Sequence, residues 1–131
     1  MTPQLLSMTL AMVVTAASSH AHHSIAGMYD SARQVKIDGV VTQFQFVSPH
    51  PLLDVRDSKT SQTWRLEMDN RGELSSIGMT EETLKPGDRL VVTGSPAHRE
   101  PNRMYIERLE RPADGYGYEQ VGGRPRLVSR R

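Results

Sequence analysis

The side chains best suited to chemistry are histidines, and their spacing points to metal. His22 and His23 are adjacent, while His50 is held between Pro49 and Pro51, whose rings fix the backbone around it. If a leader is cut after Ala21, His22 becomes the first residue. Its α-amine and imidazole can then chelate one ion, and His23 or His50 can add a further nitrogen. Alternatively the amine, the next amide and the His23 ring form a compact nitrogen set. Both arrangements match the tetragonal preference of Cu(II) or Ni(II). A cut after Ala17 would instead expose Ser18-Ser19-His20, whose third-position histidine makes a square-planar set with the amine and two amides. The plainer reading, in which terminal histidines take up stray metal without a role, weighs more on sequence alone, because nothing in the sequence brings His50 to the terminus.

Other candidates are weaker. His50 on a stiff rim is also suited to a proton switch. His98, beside Arg99 and Glu100, reads as a loop residue. Met28, Met79 and Met104 carry thioethers that could meet Cu(I), but methionine in a small barrel is usually core, and Met68 and Met104 read as core. Ser24 follows two histidines, yet neighbours in an extended chain point apart, so no catalytic triad follows. Glu67 falls on the polar face of its strand, and Glu81, Glu82, Asp54 and Asp57 read as solvent charges. The chain has no cysteine, which excludes disulfides, thiolate zinc sites and a cysteine nucleophile. A net charge of +1 and 5% aromatic content disfavour nucleic acid as a partner. No glycine-rich phosphate loop is present. These residues point to a non-enzymatic protein whose partner is a small ligand, a metal ion or an envelope protein.

The elements that must position these residues are mostly strands. Residues 1–21 lack charge, run apolar from Leu5 to Ala17 and end in Ser19-His20-Ala21, which predicts a secretory signal peptide and export, with a bacterial periplasm as the fitting compartment. The run is too short for a stable membrane span. Residues 22–111 read as one β-barrel domain. Its first strand, Val35 to Phe46, changes the face it presents, with Val35 and Ile37 on one side and Val40, Phe44 and Phe46 on the other. That shift predicts a bulge or bend at Gly39. Strands follow at Leu52–Asp57 and at 62–68, where Trp64, Leu66 and Met68 alternate with Thr63, Arg65 and Glu67. Asn70 three residues before Glu73, with Gly78 beyond Ile77, predicts a short helix. Pro86-Gly87 predicts a type II turn. Two more strands are predicted at Arg89–Gly94 and Arg103–Glu110. Residues 112–131, with four glycines, four arginines and few aliphatics, read as a flexible basic tail.

Three strands, a short helix and two strands, with a bent first strand, is the order of an OB-fold, a five-stranded, partly open Greek-key barrel; another small antiparallel barrel or a two-sheet roll would use the same elements with a different closure. The chain also resembles a family of small exported bacterial proteins grouped as a domain of unknown function. The likeness lies in His22-His23-Ser24, the Gly39-Val40-Val41 strand ending at Pro49-His50, Trp64-Arg65-Leu66-Glu67, and Leu84-Lys85-Pro86-Gly87-Asp88. The chain departs from that pattern at Ser48, usually Asn, and at Met79, often aromatic. The resemblance implies a small periplasmic barrel and brings no activity with it. The expected function is therefore an exported binding module, with copper held by His22, His23 and His50. The alternative is an interaction module that binds an oligosaccharide or protein on its sheet face, where Phe44, Phe46 or Tyr105 would be exposed and the histidines incidental.

Overall fold

The computed structural model describes residues 25–129. A helical turn at 25–28 leads to a single bridge between Tyr29 and Ala97. Then come β1 (Val35–Gln45), β2 (Leu52–Asp57), β3 (Thr63–Glu67), α1 (Arg71–Ser76), β4 (Arg89–Pro96), β5 (Arg103–Arg111), β6 (Tyr116–Val121) and β7 (Arg124–Ser129). The sheet order is β3-β2-β1-β4-β5-β6-β7, and β3 also pairs with β5 in parallel, Leu66 opposite Met104. That extra pairing closes the first five strands into a barrel with the helix between β3 and β4. The chain has the OB-fold that its element order predicts.

The core follows from alternation. Leu53 and Val55 of β2, Leu66 of β3, Leu90 and Val92 of β4, and Met104 and Ile106 of β5 are all fully buried. The helix adds Leu74. Met68, Met79 and Met104 are core residues at 0–1% exposure, which removes Met79 and Met104 as thioether ligands.

Two expectations are corrected. The slip in β1 lies at Thr42 and not at Gly39: the register against β2 runs unbroken from Gly39 to Val41 and then jumps to Gln43. Ile37, Gly39 and Val41 all face inward, and Val40 is turned out. Gly39 is glycine for a different reason, close approach. A Cβ there would overlap the Arg56 carbonyl oxygen and come within 2.8 Å of Val55 Cγ1. Past the bulge, Phe44 and Phe46 pack half-buried against the core.

The larger correction concerns 112–131. Instead of a flexible tail, the described part up to 129 is a turn followed by the β6–β7 hairpin, paired along its length and continuing the sheet from the far half of β5. Gly122 and Gly123, both at positive φ, make the two-residue connection that a hairpin favours. The segment needs few aliphatics because Tyr118 is fully buried in the barrel core. Arg111 ties the hairpin's approach down: its guanidinium donates to the Thr83 carbonyl at 2.7 Å and to Asp88 at 2.9 Å, pairs with Asp114, and lies over the Tyr116 ring.

Candidate functional site

On β5 the side that faces β3 changes partner partway along. Arg103 to Tyr105 pair with β3, and Arg108 to Arg111 pair with β6. Between them the ladder against β4 also slips, leaving Glu107 as an extra residue. A cleft of about 640 Å³ opens here. Its walls are the turn at 25–31, the His50 rim with the start of α1, and the hairpin, which contributes Gln120 and Gly123.

His50 lines this cleft, as its rim position predicts. Its Nδ1 stands 2.9 Å from the Met68 carbonyl oxygen. A carbonyl can only accept, so Nδ1 carries a proton, and in the neutral ring Nε2 keeps the lone pair that a ligand needs. The next residue, Asp69, is nine-tenths buried. Its Oδ1 accepts from the Asn70 amide at 2.7 Å and its Oδ2 from Gln120 Nε2 at 2.8 Å. Gln120 also donates to the Tyr118 hydroxyl at 2.7 Å and reaches the Tyr105 hydroxyl at 3.3 Å. Glu107 accepts from Ser95 Oγ at 2.5 Å and from Gln34 Nε2 at 2.7 Å.

The floor beneath is a tight polar cluster. Tyr29 donates to Glu67 at 2.5 Å, and Arg103 donates to the Tyr29 hydroxyl at 3.0 Å while pairing with Glu67 and Glu100. Glu67 is thus no solvent charge: it fastens the N-terminal turn to the barrel. Burial, and then the Glu67 hydrogen bond, push the Tyr29 hydroxyl well above the usual phenol range. Burial raises Tyr105 as well, followed by the negative charges of Asp69, Glu67 and Glu73. Tyr29 and Tyr105 stack obliquely with ring centroids 5.7 Å apart.

Of the residues singled out as copper ligands, His50 is in the cleft, whereas His22 and His23 lie outside the described residues, as do Ser24 and the predicted signal peptide. His98 is exposed and does not line the cleft. Among the described residues no group of three or more His, Asp or Glu side chains is placed to hold a metal ion, and no helix is long and apolar enough to cross a membrane. Phe44 and Phe46 are half-buried, with the Arg71 guanidinium over the Phe46 ring. Sequence reasoning missed Asp69, Glu107 and Gln120. Only Gly122-Gly123, a hairpin signal downstream of Tyr116 and Tyr118, could have drawn attention to the hairpin that carries Gln120.

A closed five-strand barrel with one helix after β3 and a cleft at the β5 partner switch defines a small OB-fold protein with an appended C-terminal hairpin. The chain belongs to the family of unknown function DUF6152, whose model matches residues 10–105. No curated protein sequence matches it. Among solved structures it is similar to a chain of the Stn1–Ten1 complex of S. pombe, at 17% identity and TM-score 0.49, over 63% of this chain and 62% of that one. It is also similar to a ZRD-deleted TiaS mutant in complex with agmatine, at 14% identity and TM-score 0.47, over 76% of this chain and 26% of that one. The chain therefore spans less than two thirds of either relative's length. Likenesses this distant add nothing to the fold, which rests on the strand order.

Proposed function

We propose that this protein is an exported, non-enzymatic binding module that takes Cu(II) at its mature amino terminus, with His22, His23 and His50 supplying imidazole nitrogens. One observation carries the reading: Ile25 and Ala26 line the same cleft as His50. In the sequence His22 and His23 stand just ahead of Ser24 and Ile25, so the proposed ligands adjoin a segment that lines the cleft. The fixed tautomer of His50 supports the same reading, since its Nε2 lone pair is the form a metal needs. Residues 1–21 are the leader whose removal, on this proposal in the periplasm, frees the His22 amine.

The test is Cu(II) titration of the chain exported with its own leader, after intact mass has fixed the cut, beside a version with one extra residue ahead of the native terminus. Tight one-to-one binding, abolished by the extra residue and weakened by His50→Ala, is expected. Weak binding that ignores both changes overturns the proposal. The alternative, an interaction module for an oligosaccharide or protein on the sheet face, has less support: Phe44 and Phe46 are half-buried against the core, with Arg71 over the Phe46 ring, and Tyr105 lines the cleft.

A further inference from the structure

Charge is distributed unevenly over the barrel. Asp38, Asp54, Glu67, Asp88, Asp114 and Glu119 each meet an arginine. Among the described residues the cleft carboxylates Asp69 and Glu107 meet none. Their hydrogen-bond partners are a backbone amide, two glutamine side chains and a serine hydroxyl, all of them neutral. Among the described residues the lining holds neither Lys nor Arg. Neutral dipoles solvate a carboxylate without cancelling its charge. A nine-tenths-buried Asp69 therefore stands in a cleft whose field favours a positive guest.

The rest of the lining narrows the guest's chemistry. The described residues offer no three-ligand group for a bare metal ion. The cleft does offer the Tyr29–Tyr105 ring pair, the apolar side chains of Ile25 and Ala26, and a volume far larger than an ion needs. Carboxylates with aromatic and aliphatic walls are the partners of an ammonium group on a carbon stem. We infer that this cleft binds an organic ammonium cation of the alkyl-amine class, its charge met by Asp69 and Glu107 and its stem laid along Tyr105 and Ile25. This site is built from described residues alone and needs no copper.

The probe is 1,4-diaminobutane, titrated calorimetrically into the exported chain in metal-free buffer at low ionic strength, with 1,4-butanediol as the uncharged isostere. The diamine is expected to bind with Kd on the order of 1 mM or tighter, and the diol at least about tenfold more weakly. Loss of one charged hydrogen-bond partner predicts a rise in the diamine's Kd of about 10- to 100-fold for Asp69→Asn. Asp69 also anchors Gln120, so Glu107→Gln, which keeps an acceptor for Ser95, carries the test should Asp69→Asn fail to fold. Equal binding of diol and diamine, binding unchanged in folded variants, or no heat with millimolar diamine would each overturn the inference. Copper titration of the same sample separates the two readings: diamine binding without copper binding discards the metal site alone, and the reverse discards this one.

Discussion

Replacing Tyr118 with alanine tests whether the last strands belong to the core. Tyr118 comes from β6, yet none of its surface is exposed and its ring packs among Leu109, Met104 and the other barrel residues of one hydrophobic cluster. Removing a buried aromatic ring loses its transfer free energy and leaves a cavity, together about 3–5 kcal/mol. Domains of this size hold only about 5–15 kcal/mol in total, so the loss is a large share. At roughly 4 °C per kcal/mol the melting midpoint should fall by about 12–20 °C. Urea unfolding followed by Trp64, the single tryptophan, reads the effect in the barrel itself, because Trp64 lies on β3. Tyr118→Phe separates ring from hydroxyl. It removes the hydroxyl that Gln120 meets at 2.7 Å while keeping the ring and should cost about 1 kcal/mol. If Tyr118→Ala costs less than about 1 kcal/mol, residues beyond Pro112 are a tail after all and the account of the hairpin is wrong.

Alkaline pH should unfold the protein through its tyrosines. All four, Tyr29, Tyr105, Tyr116 and Tyr118, have hydroxyls raised above the ordinary value near 10, burial being the first cause in each, with Tyr116 pushed up to about 12. The folded chain then keeps protons that the unfolded chain releases, so this stability is intact below pH 10 and is lost as pH rises through the folded values. Ultraviolet absorbance should show tyrosinate appearing in one step together with unfolding, and a tyrosine that ionises near pH 10 in folded protein would contradict this. Gly39→Ala should destabilise by about 3 kcal/mol, the upper part of the range for overpacking. The new Cβ meets the Arg56 backbone, which cannot swing aside as a side chain can. An unchanged denaturation midpoint would show that β1 and β2 approach less closely than described.

The barrel was legible because its signals are local. Leu53 and Val55, or Leu66 and Met68, alternate with polar neighbours, and Asn70 caps α1 by accepting from the Gly72 amide at 2.8 Å. The bulge was half legible. The alternation in β1 breaks, but a glycine drew the reading to position 39, where the real constraint is a neighbouring strand that no local pattern reveals. The hairpin escaped because aliphatic content is a poor guide once tyrosine supplies the buried surface: Tyr118 is buried by residues far away in sequence. The cleft was legible only at His50. Asp69 and Gln120 lie 51 positions apart, so their hydrogen bond exists only after the hairpin has folded back.

That dependence explains why the cleft sits where it does. A five-strand barrel closed through β3 and β5 uses only the first part of β5, since β3 ends at Glu67, opposite Tyr105. The remainder of β5 would present an open edge, a liability for any β-protein. The hairpin covers that edge from Arg108 onward. Its pairing starts one residue past Glu107, the extra residue in the ladder against β4, where a bulge re-aims the side chain. The gap between the two partners becomes the cleft, the bulge turns Glu107 into its lining, and covering the edge brings Gln120 onto Asp69. Edge protection and the charged cleft are therefore one construction. A change that frees the hairpin should weaken cation binding together with stability, whereas Glu107→Gln should weaken binding and leave stability nearly untouched.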